Sequence, residues 1–558
     1  MTLNLDTLRT RQRLRIRVPA ARPSFANALQ TGSFGICVHL RKVRRQSFSY
    51  RLRKGCPSSD HNWPKGEVRE NAEENRQCLR ITEEPDASLC PISLDFVMVL
   101  TWIKLMRLTP LLVAIIIVCA GKSFAQANSL AASIDTYLQP YVQSQNFSGD
   151  ALVEKRGKII FEKGYGFADR EHSIRNSAAT RFHIASMSMQ FTAAAIMRLV
   201  DTGSIKLNDH VADFVSGIEG GDKITIRDLL TERSGLPDIN ALPNYDDVLQ
   251  RHQTPSSLIA EIKGRPLLFE PGSKFLHEEH SAYNLLALIV EKKTGLPFAA
   301  AVRRLVFRPA NLTASGVDDD SMNHPIRMAK GYEPDGTYGL KPAGGIHWSA
   351  KAGNASAYTT AGDEARWLEA LFDGHILGAT SRSTVLDASI RVGYGWFKGE
   401  NKRLGQTAYY MNGRAPGFSS FVLYLPDSAT TVVVLSNIYS SSTTTIGYDI
   451  AALSLGLPYE PLHVQVPGPD ASELKTCTGT FQFGPNFYQA NAKVDLIAHG
   501  QELSMRWPSS DVSALIPLGH DRFVDRSYWE EVTIERNASG RPAVLVYDQF
   551  RGTALKSD

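Results

Sequence analysis

The chain predicts a mixed α/β (α+β) protein, built from one antiparallel sheet flanked by helices, a helical subdomain and a small all-β domain at the C-terminus. Three observations carry this. Alternating apolar runs stand at both ends of residues 128–457 with helix-and-loop sequence between them, four prolines (Pro458, Pro461, Pro467, Pro469) break the chain next, and short alternating runs fill 471–558.

Taken in order, Leu130–Val142 carries apolar residues at helical spacing and opens the unit as a helix. Ala151–Val153 and Lys158–Glu162, split by Arg156-Gly157, read as a β-hairpin. A helix rich in Ala, Met, Leu and Ile runs from about Ser186 to Thr202. Strands return at Gly393–Lys398, Ala408–Met411, Ser419–Tyr424 and Thr431–Ser436, and a helix near Thr445–Leu455 closes the unit. Residues 458–470 form a linker. Beyond it short alternating runs such as Lys493–Ile497, Leu503–Trp507, Val532–Glu535 and Ala543–Tyr547 read as strands of a small all-β domain.

Composition removes several functions. The formal charge of +4 over 558 residues comes from the start of the chain: residues 1–97 carry +7 and 98–127 carry +3, which leaves −6 for 128–558. A mildly acidic body is a poor phosphate-binding surface, so no nucleic-acid partner is expected. Five of the six cysteines precede residue 128 and only Cys477 follows, which rules out an internal disulfide or a thiolate metal cluster in the body. From Met106 the sequence MRLTPLLVAIIIVCAGKSFAQA has the layout of a secretory signal peptide: Arg107, an apolar stretch Leu108–Ala120, and an Ala125-Gln126-Ala127 cleavage signal. We therefore read 98–127 as the signal peptide, 1–97 as a non-native or disordered basic extension, and the product as secreted or periplasmic with no stable membrane anchor.

Residues of about 130–457 resemble the serine β-lactamase, penicillin-binding protein and class C esterase superfamily. The resemblance rests on Gly157–Asp169, Arg181–Ile196 (RFHIASMSMQFTAAAI), Ile224–Leu236, Phe269–Phe275 (FEPGSKF), Tyr283–Gly295 and Pro416–Phe421. It implies the transpeptidase-like fold and a nucleophilic serine served by three motifs. The first, Ser-x-x-Lys, reads Ser186-Met187-Ser188-Met189, so the nucleophile position survives and the base position is a thioether. The second, Tyr-x-Asn, has no counterpart in Phe275–Tyr283, a loop one residue longer than usual. The third, Lys-Thr-Gly or His-x-Gly, reads Met411-Asn412-Gly413, with the glycine kept and the cation lost. By resemblance, Met189, Met411, Asn412 and Gly413 line the substrate cleft, and the backbone N–H of Ser186 belongs to an oxyanion hole.

Loss of two cations and a phenol inside a preserved scaffold predicts an impaired hydrolase or a binding pseudoenzyme for a small-molecule, peptide or cell-wall-like ligand. The competing reading is a working esterase, amidase or peptidase in which His277 or His280, beside Glu278 and Glu279, replaces the base of Ser186. A third is an interaction protein acting through its C-terminal β-domain. His277-Glu278-Glu279-His280 is not a zinc motif, because its histidines stand three apart, and no metal or other cofactor is implied. Ser188 lacks a base one turn away, Tyr283 matches a later tyrosine of the family, Ser234-Gly235-Leu236 serves architecture, and Asp318–Asp320 reads as a solvated turn.

Overall fold

The computed structural model describes residues 129–555, apart from 278, 321–325 and 466–467. The signal peptide and basic extension lie outside the described residues. The first helix, α1 (129–143), buries Ile134, Tyr137, Leu138 and Tyr141, the one face that its i, i+3, i+4, i+7 spacing creates.

A seven-stranded antiparallel sheet forms the centre. Its strands are β1 (Gly149–Lys155), β2 (Lys158–Tyr165), β3 (Val392–Gly393), β4 (Trp396–Asn401), β5 (Gln406–Ala415), β6 (Phe418–Leu425) and β7 (Thr430–Ser436), in the order β3-β4-β5-β6-β7-β1-β2. The two ends of the domain are paired directly, Gly149 opposite Ser436 and Lys155 opposite Thr430. Arg156 and Gly157 turn the first hairpin with φ of 53° and 70°, the positive values a tight hairpin demands. Alternation sends Ala151, Val153, Val432 and Val434 to one face, against α1 and α5 (Ser442–Leu455). Leu152, Val433 and Leu435 face the other way, into a core shared with α2 (Met189–Asp201), α3 (His280–Thr294) and α4 (Ala361–Phe372). Strand β4 starts three residues later than its sequence suggests. Tyr394 and Gly395 have positive φ, and a Cβ on Gly395 would lie 2.4 Å from the backbone nitrogen of Gln190, so this turn is pressed against the start of α2.

The C-terminal unit is a closed eight-stranded barrel of consecutive antiparallel strands, β8 (Gly479–Gln482), β9 (Lys493–His499), β10 (Glu502–Arg506), β11 (Val512–Gly519), β12 (Arg522–Asp525), β13 (Glu531–Arg536), β14 (Pro542–Tyr547) and β15 (Phe550–Ala554). Phe481 of β8 pairs with Ala554 of β15, and this closure removes both sheet edges. The barrel does not hang free. Ile516, Val524 and Trp529 share a core with α1 and α5, and the preceding segment packs Leu457, Tyr459, Leu462 and Val464 on it. Arg526, fully buried, donates from Nε to Asn146 Oδ1 (2.9 Å), from Nη1 to the Gly336 carbonyl (2.6 Å) and from Nη2 to the Gln145 carbonyl (3.1 Å).

Candidate active site

Ser186 lies in a 3-10 turn, Ala185–Ser188, that leads into α2, and it is half-buried. Ala185 before it sits at φ 48°, a conformation that costs a residue with a Cβ free energy and persists only when its surroundings impose it. Those surroundings are visible. Ser420 of β6 donates to the Ile184 carbonyl (2.7 Å), and the Ile184 nitrogen donates to the Ala357 carbonyl (3.0 Å). Gly413 of β5 faces the same turn. A Cβ there would lie 2.3 Å from the Ile184 oxygen and 2.8 Å from the Ser186 nitrogen, so the glycine is what lets the strand approach the serine's backbone.

Strand β4 pairs with β5 only from Gln406 to Tyr410. Among the described residues Met411–Ala415 therefore keep an open edge on that side while pairing with β6 on the other. An open strand edge beside a serine offers an extended ligand main-chain hydrogen bonds. Met189 is the first residue of α2 and is 1% exposed, packed in the core; Met411 is 5% exposed in that same core, and Asn412 is exposed. Among the described residues, no group hydrogen-bonds the Ser186 hydroxyl.

The other candidates are placed as follows. His280 is buried, its Nδ1 3.2 Å from both Asp238 carboxylate oxygens and 3.1 Å from Asn240 Nδ2. His277 is exposed in a turn, its ring centroid 6.3 Å from Phe275 and 5.5 Å from Phe397. Glu279 turns inward and accepts the N–H groups of Ser234 (3.1 Å) and Gly235 (2.8 Å), which pins the Ser234–Leu236 loop; burial pushes its carboxyl up to about 8. Glu278 lies outside the described residues. Tyr283 is fully buried and accepts the Gly395 N–H at 3.0 Å, an architectural role. Ser188 accepts the Ala357 N–H at 2.9 Å and is buried.

Asp318–Asp320 departs from the sequence expectation of a solvated turn. Asp318 is 6% exposed and pairs with His183 (3.0 Å), which stacks on Trp348 at 3.7 Å, while Asp320 accepts the N–H groups of Trp348 and Ser349. Asp319 is exposed as local polarity suggested, but distant partners bury Asp318 and engage Asp320. His183, Asp318 and Trp348, with Pro416 and Phe418 of the β5–β6 hairpin, line a cavity of about 270 Å³. No group of His, Cys, Asp and Glu suited to a metal ion occurs among the described residues.

A family model described as Beta-lactamase matches residues 134–454, more than half of the chain. The chain belongs to the β-lactamase family. It is 28% identical over 304 residues to the putative penicillin-binding protein PbpX of Bacillus subtilis (strain 168), covering 54% of this chain and 73% of that one. It is 27% identical over 330 residues to protein flp of Staphylococcus aureus (strain MRSA252), covering 56% of this chain and 64% of that protein's length. Among solved structures, the penicillin binding protein from Bacillus halodurans matches 58% of this chain and 98% of its own at a TM-score of 0.50 and 28% identity. The octameric penicillin-binding protein homologue from Pyrococcus abyssi matches 75% of this chain and 99% of its own at a TM-score of 0.54 and 21% identity, a likeness of fold.

Within this β-lactamase-family serine hydrolase fold, two polar groupings have no motif in the sequence to announce them. Lys351, buried, donates to the Tyr245 hydroxyl, and burial raises the affinity of that phenol for its proton. Arg414, next to Gly413, lies against Tyr439 and the barrel's Tyr528. Each joins segments far apart in the chain, so no spacing rule could have found them.

Proposed function

We propose that this protein is an exported member of the family that binds a small peptide-like or cell-wall-like ligand in its cleft and hydrolyses it weakly or not at all. The observation that carries the reading is the pairing of a half-exposed Ser186 with Met189, a core thioether at the position where the family's motif has lysine. A thioether neither accepts the serine's proton nor stabilises an oxyanion, and loss of a general base costs about 10²–10⁴-fold in rate. The open edge of β5 and the aromatic cavity beside it support retained binding. Export rests on the signal-peptide layout of residues 106–127.

Covalent labelling of Ser186 by a fluorophosphonate, mapped by mass spectrometry, tests the proposal. Slow labelling that rises by about ten-fold or more in Met189→Lys is expected, because the substitution restores the missing base. Fast labelling of the natural protein that disappears when His277 and His280 are both replaced would instead establish the working-hydrolase reading.

A further inference from the structure

The Cβ position of Gly413 points at the Ser186 turn, so by the alternation of a strand Arg414 leaves β5 on the opposite face. There its guanidinium carbon lies 4.0 Å from the ring centroid of Tyr439 and 4.5 Å from that of Tyr528. Tyr439 follows β7, and Tyr528 stands on the barrel turn between β12 and β13. The two rings are tied together through their neighbours. Ser440 Oγ donates to the Arg526 carbonyl (2.8 Å), and the Ser441 nitrogen donates to the Ser527 carbonyl (3.0 Å). The barrel turn is also held from within: Asp525, fully buried, accepts the N–H groups of Ser527 (2.8 Å) and Tyr528 (3.2 Å) and the Tyr547 hydroxyl (3.0 Å). Burial pushes the Asp525 carboxyl up and the Arg414 charge opposes that push, so charge as well as two rings draws the guanidinium to the barrel.

What this clamp does follows from what β5 lacks. Among the described residues, Met411–Ala415 pair only with β6, and a strand bonded on one side has less local stability than one bonded on both. Gly413 must nevertheless stay close against the turn, where a Cβ would lie 2.8 Å from the Ser186 nitrogen, so a shift of the strand disturbs the packing that aims that N–H. The grip on Arg414 supplies the missing restraint from outside the sheet. We propose that the barrel positions the serine: Arg414, held by Tyr439 and Tyr528, is a positioning residue that keeps the open half of β5 against the Ala185–Ser188 turn and so fixes the Ser186 amide. This rests on Ser186 being the reactive group of the cleft, and it gives the C-terminal barrel a part in that reactivity.

Tyr528→Ala removes one jaw of the clamp, and Tyr528→Phe keeps the ring. Hydrogen exchange read by mass spectrometry follows both segments without needing any reaction. In Tyr528→Ala the amides of Met411–Ala415 and of Ile184–Met189 should exchange about three- to ten-fold faster, the effect of one lost cation–π contact, while β13 and β14 keep their natural rates. Tyr528→Phe should restore both segments. Fluorophosphonate labelling of Ser186, compared in the natural background and again in Met189→Lys, should slow by about three-fold or more in Tyr528→Ala and recover in Tyr528→Phe. If β13 and β14 also loosen, Arg414→Met, which leaves the barrel's own residues intact, carries the test with the same expected changes. Natural exchange at Ile184–Met189, or labelling at the natural rate despite faster exchange in β5, overturns the proposal; if neither background labels, exchange alone decides. Fast labelling of the natural protein would count against weak hydrolysis and leave the ratio between variant and natural protein as readable as before.

Discussion

Glycine at 413 shows how one missing methyl sets the position of the serine. The strand touches the Ile184 carbonyl and the Ser186 nitrogen where a Cβ would go, and Ala185 is held at positive φ by the same contacts. Gly413→Ala must push the strand from the turn or let Ala185 relax, and either movement displaces the Ser186 N–H. We expect the variant to melt several degrees lower, in keeping with a cost of about 1–3 kcal/mol, and to label at Ser186 more slowly than its lost stability explains. Labelling at the natural rate in a folded Gly413→Ala protein would show that the contact does not position the serine. His280 illustrates the opposite case: its contacts with Asp238 and Asn240 tie the start of α3 to the loop after Ser234–Leu236.

At the scale of elements, α2 and α4 are joined by polar groups inside the core. Gln190 Nε2 donates to Glu364 Oε1 (2.6 Å), and Trp367 Nε1 donates to Gln190 Oε1 (2.8 Å). Burial pushes the Glu364 carboxyl up to about 8 from an ordinary 4.5, with the Gln190 hydrogen bond opposing the shift. The folded protein therefore keeps this proton where the unfolded chain releases it. Its contribution to stability is complete below about 4.5 and is lost as pH rises toward about 8, a dependence that Glu279 shares. Glu364→Gln fixes the neutral state. Its melting temperature relative to the natural protein should rise from pH 5 to pH 8; a difference independent of pH would mean that Glu364 is already ionised in the fold.

For the whole molecule, the barrel is an integral part of the structure. Arg526 crosses from barrel to catalytic-fold unit and satisfies Asn146 and two carbonyls with no exposed surface of its own, and burial lowers its affinity for its proton to about 10. Ser440 and Ser441, at the start of α5, bond back to the same barrel turn through the carbonyls of Arg526 and Ser527. Arg526→Ala strands one buried acceptor, Asn146 Oδ1, and two partly buried carbonyls, so we expect a loss of about 2–4 kcal/mol. Denaturant unfolding, followed by tryptophan fluorescence and far-UV circular dichroism, should then show one transition become two as the units separate. An unchanged midpoint would reduce the arginine to a bystander.

The scaffold was legible because its signals are local. The alternation of β7, the helical spacing of α1, and words such as FEPGSKF each lie within a few residues, and the same local matching nominated Ser186 and Gly413 as site candidates. Strand edges were less legible: β5 extends to Ala415 and β4 begins at Trp396, since pairing partners rather than propensity set where strands stop. The alternating runs pointed to a small all-β domain but not to its eight strands or its closure, because short runs become strands only when closure gives each a neighbour on both sides. The sequence by itself determined the class of fold, the serine, and the thioethers at its motif positions. Only the tertiary structure decided that Met189 is core, that Asp318 is buried on His183, and that Arg414 lies between tyrosines from two units. The reason is physical: burial and electrostatic partnership arise between groups that are close in space and distant along the chain, and periodicity carries no record of them.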